Sequence, residues 1–186
     1  MMIKLLSFTV CAFLLTGCGP AAYRITMQKP VVSDSMTYED KMIRVKYQVQ
    51  KDDMNCNMEN VVQQYCDYTG FDFIFENKTD KIITIDWNKI TFENSQGISG
   101  GVFHNGIPFI DRNLIKAPSI IPPNSKINDV IVPCDAAMLG DNGNWHVSLF
   151  PSPRKYPDIT CGIYFPIQIG EEIKLYKFEF SVKAEQ

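Results

Sequence analysis

FDFIFENKTDKIITIDW, residues 71–87, decides the fold. Phe71, Phe73 and Phe75 alternate with Asp72, Ile74 and Glu76, which in an extended chain puts the three rings on one face. Asn77-Lys78-Thr79-Asp80 follows as a polar tetrapeptide, and Ile83, Ile85 and Trp87 repeat the period of two on the way back. The stretch reads as a β-hairpin, two strands joined by a turn over residues 77–80.

Working outward, the same period recurs. Ile43, Val45, Tyr47 and Val49 alternate with Arg44, Lys46 and Gln48. Ile90 and Phe92 lead through Asn94-Ser95-Gln96-Gly97 to Val102 and Phe103, a second hairpin. Residues 118–123 are proline-rich and extended, suited to a crossing between sheets or to a sheet edge. Residues 127–132 form a further strand, and Asn142-Gly143 is a hairpin turn before Trp145, Val147 and Leu149. Ile163, Phe165, Ile167 and Ile169 alternate, as do Tyr176, Phe178, Phe180 and Val182. About eight strands with abundant turn residues and few helical signals predict an all-β antiparallel sandwich. The segment 71–87, taken with IPPNSKINDVIVP at 121–133, resembles the strand pattern of immunoglobulin-like domains in exported bacterial proteins. That resemblance implies an immunoglobulin-like β-sandwich over residues 38–186, although a Cys, Trp and Cys signature at strand spacing is missing.

Ahead of this domain, Lys4 precedes an apolar run over residues 5–15, the layout of an export signal and too short to span a bilayer. Leu15-Thr16-Gly17-Cys18 resembles the lipobox of bacterial lipoproteins. The resemblance implies a signal peptide over residues 1–17, diacylglycerylation of the Cys18 thiol, cleavage before it and acylation, palmitate included, of the new amino terminus. Several acyl chains on Cys18 give firm membrane attachment where one alone does not. Gly19 stands where an inner-membrane lipoprotein commonly has aspartate, so the resemblance implies the outer membrane, with the domain facing the periplasm. Residues 18–37, with two prolines and little periodicity, are expected to be a tether.

The formal net charge is −3, from 18 basic and 21 acidic residues. Without a basic cluster, this argues against nucleic acid or anionic lipid as the main partner. Besides Cys11 in the signal and Cys18, the cysteines are Cys56, Cys66, Cys134 and Cys161. An even number in an exported chain suggests disulfides, with three possible connectivities. Cys56–Cys66, closing a short polar loop, and Cys134–Cys161 are the expected pairs, and they favour an oxidising periplasm. Zinc is disfavoured, since no Cys-x-x-Cys pair occurs and the histidines lie far from either pair.

Chemistry is thin. His104 and His146 lack ligand spacing and read as rim residues. No Gly-x-Ser-x-Gly elbow occurs, residues 141–144 read as a turn rather than a calcium loop, and 99–101 as a bend rather than a phosphate loop. Trp87 and Trp145 fall in the apolar phase of their strands, which assigns them to the core. Tyr65 and Tyr68, beside Cys66, are candidates for a binding rim. No cofactor is implied. The residues therefore predict a non-enzymatic, lipid-anchored envelope protein that binds a protein partner as an accessory or assembly factor. The alternative is a lipid-tethered glycan or small-molecule binder or hydrolase, with acids such as Asp86, Asp111 and Asp135 converging in a cleft at the separation that glycoside chemistry needs.

Overall fold

A computed structural model describes residues 22–52, 67–141, 143–151 and 156–185. Their strands are β1 (Ala22–Lys29), β2 (Thr37–Glu39), β3 (Ile43–Asp52), β4 (Asp67–Asn77), β5 (Ile83–Ile85), β6 (Thr91–Glu93) and β7 (Ser99–Phe103). There follow β8 (Ser119–Ile121), β9 (Lys126–Pro133), β10 (Ala137–Leu139), β11 (Trp145–Val147), β12 (Asp158–Ile169) and β13 (Glu172–Glu185). The fold is all-β, and its strand pairs are antiparallel. One sheet runs β1-β13-β12-β6-β7-β9-β4-β3-β2, with β5 added to β12 and β8 to β5, while β10 and β11 form a separate ribbon.

Alternation explains which face each strand buries. Val45, Tyr47, Phe71, Phe73 and Phe75 of β3 and β4 are buried, as are Phe165, Phe178 and Phe180 of β12 and β13. The two sets meet because the sheet curls over on itself: Phe71 and Phe180 have ring centroids 4.8 Å apart, Tyr47 and Phe178 5.0 Å, Phe73 and Phe165 5.7 Å. Tilted and edge-on rings at these distances add to the burial of apolar area that drives the fold.

The sheet nearly closes into a barrel. On the open side of β1, Met27 and Ser33 exchange backbone hydrogen bonds of 3.1 and 3.0 Å. A few residues away the Tyr68 hydroxyl of β4 accepts from the Tyr23 N–H at 2.7 Å and donates to the Tyr23 carbonyl at 3.1 Å. One phenol thus serves a donor and an acceptor that a neighbouring strand would otherwise have to satisfy.

The structure corrects the reading of residues 71–87. Their alternation holds, since Phe71, Phe73, Phe75, Ile83, Ile85 and Trp87 are all buried. They are not a hairpin, however: β4 pairs with β3 and β9, and β5 pairs with β12 and β8. Asn77, fully buried, is the cause. Its Oδ1 accepts from the Thr79 N–H, an Asx turn, while its Nδ2 lies within donating distance of the Lys81, Ile121 and Pro122 carbonyls. This pins the connection to the β8 end and carries the chain across to the opposite side of the core.

The expected tether is corrected as well. Residues 22–29 form β1, registered on β13 from Ala22↔Glu185 to Lys29↔Glu179. The proline-rich segment does supply an edge strand, β8; the hairpin through 94–97 pairs β6 with β7, and β10 pairs with β11 across a connection that includes Gly143 at positive φ.

Candidate functional site

Along β13 the outward phase is polar at Lys177, Glu179, Ser181 and Lys183, but it turns apolar at Ile173 and Leu175, which are 67% and 61% exposed. Antiparallel register extends this into a row: Ile173 faces Gln168 of β12, which faces Thr84 of β5, which faces Ile120 of β8. Ile120 and Ile82 are more than half exposed. Leu175 sits opposite Pro166, where β12 changes its second partner from β6, which ends its pairing at Tyr164, to β5, which begins at Ile167. A proline without an N–H fits such a break in the ladder.

A cleft of about 380 Å³ lies on this face, with Ile115, Pro118, Pro166 and Ile173 among its apolar lining and Asp86, Lys89 and Lys116 among its polar lining. Lys116 is buried, its backbone N–H donating to Asn88 Oδ1 and its Nζ to the Leu114 carbonyl, so the loop before β8 is fastened down. Asp86 is held below the usual carboxylate range by the Lys89 ammonium and by Asn88. The loop itself projects Ile110, Leu114 and Ile115, which is 93% exposed. Arg112 braces it from behind: its guanidinium stacks 4.7 Å over Trp145, and its Nε donates to the Cys134 carbonyl. Below lies a small second core of Phe103, Val132, Cys134, Ala137 and Val147. The charges here are fixed by internal partners, whereas the isoleucines and leucines face solvent. Such a surface suits apolar contact with another macromolecule better than proton or group transfer.

Sequence reasoning missed this face because it registered Tyr176, Phe178 and Phe180 of β13 but not the apolar residues in the opposite phase. The signal was the pair Ile173 and Leu175 where Lys or Glu belongs. Of the residues singled out beforehand, Cys18, Cys56, Cys66 and Tyr65 lie outside the described residues. Tyr68 is not a rim residue but a core one, packed on Tyr23 and Phe150 with its hydroxyl spent on β1. Cys134 and Cys161 are buried free thiols, so the bridge expected between them is absent. They belong to different apolar clusters, and Cys134 directs its Sγ to the Arg112 carbonyl at 3.2 Å. Burial pushes both thiols upward in pKa.

His146 is exposed, but His104 is largely covered: its ring stacks on Trp87 with centroids 4.0 Å apart, and Nδ1 lies 3.2 Å from Asp129 Oδ2. Trp87 is fully buried as expected, while Trp145 sits half-buried under Arg112 rather than in the core. Asp86 lines the cleft, Asp111 lies in the 3₁₀ turn Phe109–Asp111, and the exposed Asp135 lies against Gly100. Of these three, Asp86 alone lines one of the described clefts.

No family model and no curated protein matches the chain. Among solved structures it is similar to Northeast Structural Genomics Consortium target SoR45, at 10% identity and a TM-score of 0.36, over 76% of this chain and 88% of that one. It is also similar to a protein from Archaeoglobus fulgidus, at 9% identity and a TM-score of 0.28, over 80% of this chain and 94% of the other.

Proposed function

We propose that the protein is a non-enzymatic, lipid-anchored component of the bacterial cell envelope that binds a protein partner through the outer face of β5, β8, β12 and β13. The observation that carries the partner-binding part is the set of solvent-facing apolar residues on this face, Ile82, Ile115, Ile120, Ile173 and Leu175, with Ile120 on a strand paired on one side only. An edge strand flanked by apolar side chains offers both main-chain pairing and side-chain contact to an incoming chain. Anchoring rests on Leu15-Thr16-Gly17-Cys18 and the apolar run before it, and the outer membrane on Gly19. The immunoglobulin-like sandwich reading is supported by the two opposed sets of aromatic residues. With Cys134 and Cys161 free, Cys56–Cys66 remains the one expected disulfide.

Crosslinking of the full-length protein in living bacteria, followed by mass spectrometry, tests this. Wild type is expected to capture a discrete protein, and Ile120→Lys with Ile173→Lys to lose it at unchanged melting temperature. Cys18→Ser is expected to leave the membrane fraction. Capture that survives both lysines overturns the surface, and membrane retention of Cys18→Ser overturns the anchor.

A further inference from the structure

A second concavity lies on the outer face of β3, β4 and β9. It has a volume of about 410 Å³ and is lined mainly by amides and apolar side chains: Gln48 and Gln50 of β3, Asn128 and Val130 of β9, Ile74 of β4, and Asn105 from the loop after β7. Asp72, Asp129, Lys46 and Phe73 complete it. The register sets them in two adjacent rows, Gln48–Asp72–Val130 and Lys46–Ile74–Asn128.

Apart from Gln50, whose Oε1 accepts from the Thr69 hydroxyl, and Asp129, most of these polar side chains differ from their neighbours in being unused. Two residues along β3, Arg44 is paired with Glu39 and Glu76, and Lys78 with Glu39. Among the described residues, the side chains of Lys46, Gln48, Asp72 and Asn128 have no hydrogen-bond or ion-pair partner. The groove wall is nonetheless fixed. Asp129 Oδ1 accepts from the N–H groups of Asn105 and Val130 at 3.0 and 2.8 Å, and its Oδ2 meets His104, which stacks on the buried Trp87. The Asn105 backbone is thereby held in place before any ligand arrives, which lowers the ordering cost of binding.

We propose that this groove binds a neutral, hydroxyl-rich ligand, a short stretch of oligosaccharide laid across β3, β4 and β9. Amides donate and accept at once, which matches hydroxyl groups that do the same. Two acids, Asp72 and Asp129, against one base, Lys46, disfavour an anionic ligand, and because Asp129 is already engaged by the Asn105 and Val130 N–H groups and by His104, the free partners are mostly amides rather than charges. Ile74 and Val130 offer apolar floor to the C–H face of a sugar ring. An extended peptide fits less well, because β4 is already paired on both sides and offers no free backbone ladder. This inference goes beyond partner binding and does not rest on it, since the two faces share no lining residue.

The test is titration of the purified full-length protein with maltotriose, cellotriose and chitotriose, and with trialanine as the peptide probe, following side-chain amide resonances by nuclear magnetic resonance. At least one trisaccharide is expected to shift the signals of Gln48, Asn105 and Asn128 saturably. Gln48→Ala with Asn128→Ala is expected to weaken that binding by about tenfold or more at unchanged melting temperature, and Ile120→Lys with Ile173→Lys to leave it unchanged. The proposal is overturned if no trisaccharide moves those signals, if trialanine moves them more, or if the double alanine variant binds as wild type does.

Discussion

Two residues set opposite expectations for single substitutions. Tyr47 is fully buried between Phe71, Phe178 and Phe180, and its hydroxyl has no hydrogen-bond partner among the described residues. Burial pushes its pKa well above the ordinary phenol value. Tyr47→Phe removes a desolvated polar group while keeping the ring, so it is expected to stabilise the protein by about 1 kcal/mol. In a chain of this size that raises the melting temperature by about 2–4 °C, readable by calorimetry; a fall of similar size would show that the hydroxyl has a partner. Asp40 works the other way. Partial burial alone would raise its carboxyl, but the N–H groups of Ile43 and Met42, the Tyr176 hydroxyl and the Lys174 ammonium outweigh it and hold the pKa at about 2. Because the folded value lies below the unfolded one, this stabilisation is complete above about pH 4 and is lost as pH falls through about 2. Asp40→Asn is therefore expected to cost about 1–2 kcal/mol at neutral pH. In urea melts that difference should narrow steadily below about pH 4; a gap independent of pH would mean that the charge contributes nothing.

At the scale of elements, the seam beside β1 is the part most open to test. β1 is held along β13 by its ladder, but on its other side by the Met27–Ser33 bridge and the Tyr68 hydroxyl. Tyr68→Phe leaves the Tyr23 N–H and carbonyl unsatisfied in a buried place, at a cost of about 2–3 kcal/mol. Amide hydrogen exchange is expected to quicken over residues 22–29 and much less over 158–169; equal protection of both in the variant would show that the phenol does not hold the seam. The same element shows why sequence reasoning stopped where it did. Tyr23, Ile25 and Met27 alternate with Arg24, Thr26 and Gln28, so a period is present over residues 22–29, but it is short, and between Pro20 and Pro30 it reads as too little periodicity for a strand, hence as a tether. Strand faces were legible at 43–49, 71–87, 163–169 and 176–182, because alternation depends on neighbours a few residues away. Pairing was not. Nothing in residues 77–80 alone announces that the Asn77 amide will reach carbonyls at 121 and 122, and that long-range contact separates a hairpin from a crossover. The candidate surfaces were hidden for a related reason. Ile173, Ile120 and the groove amides become a face only once β12 is known to lie beside β5, and β4 beside β9.

At the scale of the whole molecule, closure makes one side of the curled sheet depend on the other. Cys161 lies on β12 with its thiol in the main core, which joins β3 and β4 to β12 and β13, whereas Cys134 lies in the small second core under the loop before β8. The two thiols therefore report on different openings. The loop side is covered by few buried residues and by the Arg112–Trp145 stack, so it is expected to open locally at modest cost. The main core has no such local route, because exposing Cys161 means separating the aromatic sets that meet across it. With Cys56 and Cys66 replaced by serine and the anchor removed through Cys18→Ser, iodoacetamide labelling followed by mass spectrometry reads the two sites separately. Burial raises both thiols, and a raised pKa lowers the thiolate fraction available to react, so each rate is to be scaled to its own rate in urea. Cys134 is expected to label many times faster than global unfolding. Cys161 is expected to label only as fast as the protein unfolds, and to follow the stabilising effect of Tyr47→Phe while Cys134 does not. If both thiols react at one common scaled rate, the second core opens only with the first, and the loop that carries Ile110, Leu114 and Ile115 is as firmly built as the sheet beneath it.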